Sequence, residues 1–285
     1  MGYVSRFGRR PNEYASKSSH GYIIRDPDIQ YFLSEECELP TTSEDVEFSR
    51  HTIVNHEQIN PNPIQHIFTF DGGYTEVAVK KEFPSSTVSF FQFGASAIRI
   101  SDLEEISYKP FIDPADMEKL KTIERFKLTL PTKNVTLKSE SDLINSVRKT
   151  IYNFFMNQPK GEKENFLSTL KWFIFEEYNS HPNSTWNLAS CPSCSHSNIE
   201  IKRSLLDKDF SIKCPNCRDS IYLTDVFRLH EAIDNELGAG GILGYLTNLL
   251  EHILLIHIIK SILSIQQSLL KNTLFLKDGP LAFFG

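Results

Sequence analysis

Four of the five cysteines fall in two pairs, Cys191-Pro-Ser-Cys194 and Cys214-Pro-Asn-Cys217, with 19 residues between the pairs. Four thiolates at this spacing suit tetrahedral Zn²⁺, and a closed four-ligand shell of this kind is structural. A redox dithiol needs only one such pair, in a βαβ setting, and two pairs in a reducing compartment read as a metal site. His196 is an alternative donor, but four cysteines already fill the shell. Cys37 stands alone and is expected to be a free thiol. Phe210, Ile212, Ile221 and Tyr222 are expected to pack against the metal, because so small a module has little core of its own. Lys202, Arg203, Lys208, Lys213 and Arg218 make the module locally basic, with Asp207, Asp209 and Asp219 offsetting them.

Three carboxylates carry the second chemistry. Asp71 and Asp278 each follow an apolar, β-prone run and precede glycine. Carboxylates at two strand tips can share a hard cation such as Mg²⁺ or Mn²⁺, which takes oxygen ligands. Asp-Gly also starts ordinary turns. Glu251 differs, because the helix expected around it is apolar on nearly every side, the mark of a buried helix. A buried carboxylate is costly unless it is paired or binds a metal. Its partner in the first case is a histidine or lysine, with His252 and His257 nearby in the chain. The order strand-Asp, helix-Glu, strand-Asp is that of an RNase H-like metal site, whose two-metal chemistry activates water and stabilises a leaving oxygen.

These groups need elements to hold them. Ile64–Phe70 alternates and predicts a strand, broken by Asp71-Gly72-Gly73. Tyr74–Val79 and Ser86–Ile100 predict two more strands in an antiparallel meander. From Asp113 to about Tyr178 the pattern reads as helical, opened by Asp113-Pro114. Asn153–Phe155 and Phe166–Phe173 supply its apolar faces, and those aromatics read as core. Thr224–Glu236 predicts a helix, and a long one follows from about Ile242 to Leu270. Thr273–Lys277 predicts a short buried strand, stopped by Asp278-Gly279-Pro280. The fold class expected is α/β, an RNase H-like mixed sheet with flanking helices and an inserted zinc ribbon. Its parts are an irregular N-terminal arm (1–60) and an RNase H-like domain (61–285) interrupted by the ribbon (188–223).

The 285 residues carry a formal charge of −6, with 40% hydrophobic and 23% charged residues. Such a composition is that of a globular chain able to bury a core without staples. The acidic balance excludes a globally basic nucleic-acid binder, so DNA contacts must come from local patches. No apolar leader opens the chain, and Arg6 breaks the myristoylation pattern. Ile242–Ile259 contains Glu251, His252 and His257, which makes it a poor membrane span. The expected location is cytoplasmic. The charged arm, from Arg6, Arg9 and Arg10 through Glu44, Asp45 and Glu47, reads as solvated or as a docking segment.

The segments FTFDGGYTEVAV, YLTDVFRLHEAIDNELGAGGILGY, LLEHILLIHIIKSI and FLKDGPLAFFG together resemble the NurA-domain nucleases, over roughly residues 60–285. The family's Asp-Gly-Ser reads Asp71-Gly72-Gly73 here, and its Asp-Gly-(Pro/Ser)-Leu matches Asp278-Gly279-Pro280-Leu281. The family's helix glutamate maps onto Glu251, with Glu231 and Glu236 as weaker candidates. The resemblance implies an RNase H-like fold and Mn²⁺ or Mg²⁺ held by Asp71, Glu251 and Asp278, which are also the catalytic residues. It further implies cleavage of DNA ends and single strands, a homodimer, and docking on a hexameric HerA-type ATPase in DNA repair or phage defence. Members of that family continue past the last motif, with further strands and active-site Tyr, His or Asp residues, so the chain is expected to lack its C-terminal part. Two other function classes stay open: a non-catalytic zinc-ribbon adaptor regulating an ATPase, and a zinc-ribbon DNA-binding protein. The last predicts affinity that falls steeply with salt and no metal-dependent cutting.

Overall fold

The computed structural model describes residues 27–37, 62–104, 122–159, 162–206 and 209–281. The chain divides into two units, 1–61 and 62–285. In the first, the described residues form a short helix, α1 (Pro27–Tyr31), continued by a wider turn over Phe32–Glu36. Most of the charged arm, the expected helix start at Asp113-Pro114 and the Phe283-Phe284 end lie outside the described residues.

The second unit is built on a four-stranded sheet. Strands β1 (His66–Lys80), β2 (Phe83–Arg99) and β3 (Thr122–Lys133) form an antiparallel meander. A last strand, Thr273–Lys277, lies parallel to β1, giving the order β3-β2-β1 and then this strand. Phe70 of β1, Phe91, Phe93 and Ala95 of β2, and Leu128 and Leu130 of β3 are buried on one face. Thr69, Asp71, Gln92, Ser96, Arg125 and Lys127 alternate with them and face the other way, as the two-residue period of a strand demands.

The structure corrects two expectations here. Asp71-Gly72-Gly73 does not break the strand: β1 runs straight through it, with Asp71 opposite Gly94 and Gly72 opposite Phe93. The stretch expected to be helical from Asp113 onward contains β3, whose alternation Phe126, Leu128, Leu130 is that of a strand. Pro131 lies opposite a register irregularity between Thr87 and Val88, and a bulge is a position where a strand accepts proline.

Helices cover the buried face. After the short α2 (Ile100–Glu104) come α3 (Leu143–Met156) and α4 (Phe166–Ile174). Asp142 caps α3 by accepting the Asn145 N–H at 2.8 Å, and Asn165 caps α4 through Ser168 N–H at 2.9 Å. Leu143, Val147, Ile151 and Phe155 recur every four residues on α3 and are all buried. The long α5 (Leu243–Ile265) has Leu246, Leu249, Leu250 and Leu254 fully buried. It is long and apolar enough to cross a membrane by length and composition, yet it packs on β1, β2 and α4 as a core element. It ends five residues before the expected Leu270, because Gln266 is extended (φ −161°), and a tighter turn over Gln267–Asn272 leads into the last strand. The helix expected over Thr224–Glu236 is two short turns, Leu223–Phe227 and Leu229–Ala232, separated by Arg228 in the left-handed region (φ 55°).

Between α4 and α5 the chain forms the cysteine module from two small hairpins. One pairs β4 (Thr185–Ser190) with β5 (Ser197–Lys202), the other β6 (Ser211–Lys213) with β7 (Ser220–Tyr222). The closing strand of the main sheet, Thr273–Lys277, is therefore β8.

Candidate metal centre and carboxylate site

The two Cys-Pro-x-Cys turns are built alike. Cys191 N–H donates to His196 O at 2.8 Å and Ser195 N–H to Cys191 O at 3.0 Å. In the second turn Cys214 N–H donates to Asp219 O at 2.9 Å and Arg218 N–H to Cys214 O at 3.0 Å. Ser195 (φ 57°) and Arg218 (φ 66°) take the left-handed conformation that bends each turn back. The repeat brings all four sulfurs within 4.8 Å of one another. Cys191 Sγ lies 3.8 Å from Cys217 Sγ, and Cys194 Sγ 3.8 Å from Cys214 Sγ. Zn–S bonds of about 2.3 Å in a tetrahedron place sulfurs about 3.8 Å apart, so the residues fit the ion the spacing implies. The four cysteines could hold a metal such as zinc, and they are all unpaired as disulfides. His196 contributes its backbone carbonyl to this turn. Asn216 Nδ2 donates to Cys194 Sγ at 3.5 Å. That amide, with the His196 backbone bond, lowers the Cys194 thiol to about 6. Both contacts favour the thiolate, the form that binds metal.

The module is anchored to α3. Arg148 Nε and Nη2 donate to Asp225 Oδ1 and Oδ2 at 2.9 and 2.8 Å, and Nη2 also reaches Ser220 O at 2.9 Å. Burial by itself would lower the Arg148 pKa, but the Asp225 bonds outweigh it and hold the group above its ordinary value. Tyr152 stacks on Tyr222 with ring centroids 4.3 Å apart, and its hydroxyl donates to Asp209 O at 2.7 Å. Phe210, Ile212 and Tyr222 pack against the core, and Ile221 is within it.

The carboxylates are arranged differently from the sequence expectation. The last β1–β8 pair is Phe70 with Lys277, so Asp71 and Asp278 each stand one residue beyond that pair. Both are exposed. Asp71 lies on the open face of the sheet, in a groove of about 390 Å³ lined also by Thr69, Gln92, Ser96 and Arg125. Glu251 lies under the other face. It is 7% exposed, and its Oε2 receives Lys277 Nζ at 2.8 Å. The register thus places both aspartates one position past the last β1–β8 pair and leaves Glu251 under the other face of the sheet. Among the described residues, the four cysteines are the group of three or more metal-ligating side chains within reach of one ion. Glu231 is held by Arg228 at 2.7 Å, and Glu236 is exposed in a turn.

The expected partner of Glu251 was a histidine or lysine, with His252 and His257 the near candidates, and sequence reasoning did not single out Lys277, the lysine it pairs with. His252 instead bonds Asn248 O, and His257 bonds Thr169 Oγ1, both at 2.7 Å. The signal available was the lysine one residue before Asp278, inside an otherwise apolar strand.

Gly72 has a physical reason here. A Cβ added to it would sit 2.9 Å from Phe93 Cβ and 3.1 Å from Glu251 Oε1. Gly72→Ala is therefore expected to lower stability by about 1–3 kcal/mol through overpacking, while Gly73→Ala, which meets nothing within 4 Å, costs less. Urea denaturation of both variants checks this, and equal stabilities would overturn it.

Compared with protein-family models, with curated proteins and with solved structures, the chain matches none.

Proposed function

We propose that the chain is a divalent-metal-dependent DNA nuclease of the NurA type, built on an RNase H-like core and carrying a structural zinc ribbon. The observation that carries this reading is the sheet: an antiparallel β1-β2-β3 meander, helices on one face, then β8 returning parallel to β1 with Asp278 beside Asp71. That topology, and an acidic residue at the end of each of the adjacent pairing segments of β1 and β8, are what an RNase H-like site requires. Mg²⁺ is commonly held by one or two carboxylates with the rest of its shell from water and substrate phosphate, so Asp71 and Asp278 suit it without Glu251. Bound there, Mg²⁺ or Mn²⁺ would supply an activated water and offset charge on the scissile phosphate. Arg125, in the groove with Asp71, is positioned to pair with a DNA phosphate. The partners that go with this reading are DNA, a second copy of the chain and a HerA-type hexameric ATPase, in cytoplasmic DNA repair or phage defence.

The test is cleavage of end-labelled single- and double-stranded DNA with Mn²⁺, Mg²⁺ or EDTA. Asp71→Ala and Asp278→Ala are each expected to lose about 100-fold or more of the metal-dependent rate. Undiminished cutting by Asp71→Ala would sink the assignment.

A second reading, a non-catalytic adaptor that regulates an ATPase, is favoured by the Glu251–Lys277 pair, which leaves the expected third carboxylate committed to an internal cation. Stimulation of the ATPase without cleavage under any divalent ion would select it.

A further inference from the structure

An ammonium has three N–H donors, and the Lys277 ammonium has three acceptors around it. These are Glu251 Oε2 at 2.8 Å, Asn248 Oδ1 at 2.6 Å and the backbone carbonyl of Asp278 at 2.5 Å. The Lys277 side chain is 1% exposed and that of Glu251 9%. Asn248 and Glu251 stand three residues apart on α5, hence on one face of the helix. Lys277 is the last residue of β8, so its side chain is directed at that face while its ammonium folds back onto the next carbonyl. Immediately after it, Gly279 takes φ +78°, the left-handed conformation that turns the chain.

We propose that Asn248, Glu251 and Lys277 form a clamp that fixes the Asp278-Gly279-Pro280 turn beside Asp71. Glu251 is then a positioning residue and not a ligand of the catalytic cation. This inference rests on the nuclease reading for its function, though not for its geometry. A cation taken up by Glu251 would have to displace the ammonium and would leave it buried beside a like charge, which is costly. Glu251 also sits under Gly72, on the face of β1 opposite Asp71. The clamp instead links the helix to the aspartate through one carbonyl, so the helix glutamate contributes by holding the geometry of its neighbour.

Two measurements on the whole protein decide it. The first is Mn²⁺ affinity, read by electron paramagnetic resonance. Glu251→Gln keeps an oxygen for the ammonium and is expected to bind Mn²⁺ within about threefold of the unaltered protein, whereas Asp278→Ala loses about tenfold or more. A loss in Glu251→Gln as large as in Asp278→Ala would make Glu251 a ligand and overturn the proposal. The second is amide hydrogen exchange over 278–281. Asn248→Ala, which removes one acceptor and keeps the ion pair, and Lys277→Met are both expected to speed it by about tenfold or more. Unchanged exchange in both would also overturn the clamp. Absence of Mn²⁺ binding in the unaltered protein would refute the nuclease reading alone, and the exchange result would still judge the clamp.

Discussion

Cys214→Ser is expected to empty the cysteine module of metal and to lower the melting temperature of the chain by about 10 °C or more. Cys214 is 1% exposed and belongs to the same buried cluster as Ile199, Ile201 and Ile221. The two hairpins that hold the sulfurs have only three to six residues per strand. Strands this short are marginal in water without an added constraint. Structural Zn²⁺ sites contribute on the order of 10–16 kcal/mol of apparent binding energy at neutral pH, and that energy is folding energy when no site exists in the unfolded chain. Losing one of four ligands therefore unravels the module, and the core it shares with α3 loosens with it. The check is metal content, with one zinc per chain expected, alongside calorimetry with and without a strong chelator. Cys37→Ser serves as the control and is expected to change neither. A metal-free protein whose melting temperature ignores the chelator would show that the four thiols hold no ion.

Asp225→Ala is expected to cost about 3–5 kcal/mol, because it leaves the Arg148 guanidinium buried without a counter-charge. The side chains of this pair are 6% and 2% exposed, so water screens them little. Asp225 also accepts the Tyr222 N–H at 2.8 Å, which ties the end of the module to the following turn. Arg148→Met combined with Asp225→Leu is expected to recover most of the loss, since a neutral pair of similar volume leaves no charge stranded. Urea denaturation of the single and double variants measures the difference. A double variant no more stable than Asp225→Ala would mean that the hydrogen bonds to Ser220 O and Tyr222 N–H matter more than the charge balance.

These two sites differ in how far the chain alone announces them. The sulfur cluster is written in local spacing: two residues inside each pair force a tight turn, and the turns recur with the same backbone bonds at Cys191 and Cys214. The Arg148–Asp225 pair spans 77 positions and carries no local signature. The same division runs through the fold. An apolar surface on nearly all sides of 242–270 and a short apolar run at 273–277 are local patterns; the helix forms over 243–265 and the strand over 273–277, although Leu274 and Leu276 of that strand are exposed and not buried as expected. Asp71-Gly72-Gly73 misled because glycines beside an aspartate also make turns. Here Gly72 serves the close approach of Phe93 and Glu251 inside a continuous strand.

The sequence by itself thus determined the grouping of the four cysteines, the buried helix and the final strand, because residue spacing and local apolar patterns are properties of neighbours along the chain. Only the tertiary structure decided that Asp71 faces away from Glu251 and that Lys277 is the partner of Glu251. The direction of a strand side chain follows from its register with the next strand. A buried charge, in turn, takes whichever opposite charge the packing brings within 3 Å or so, however far apart the two lie in the chain.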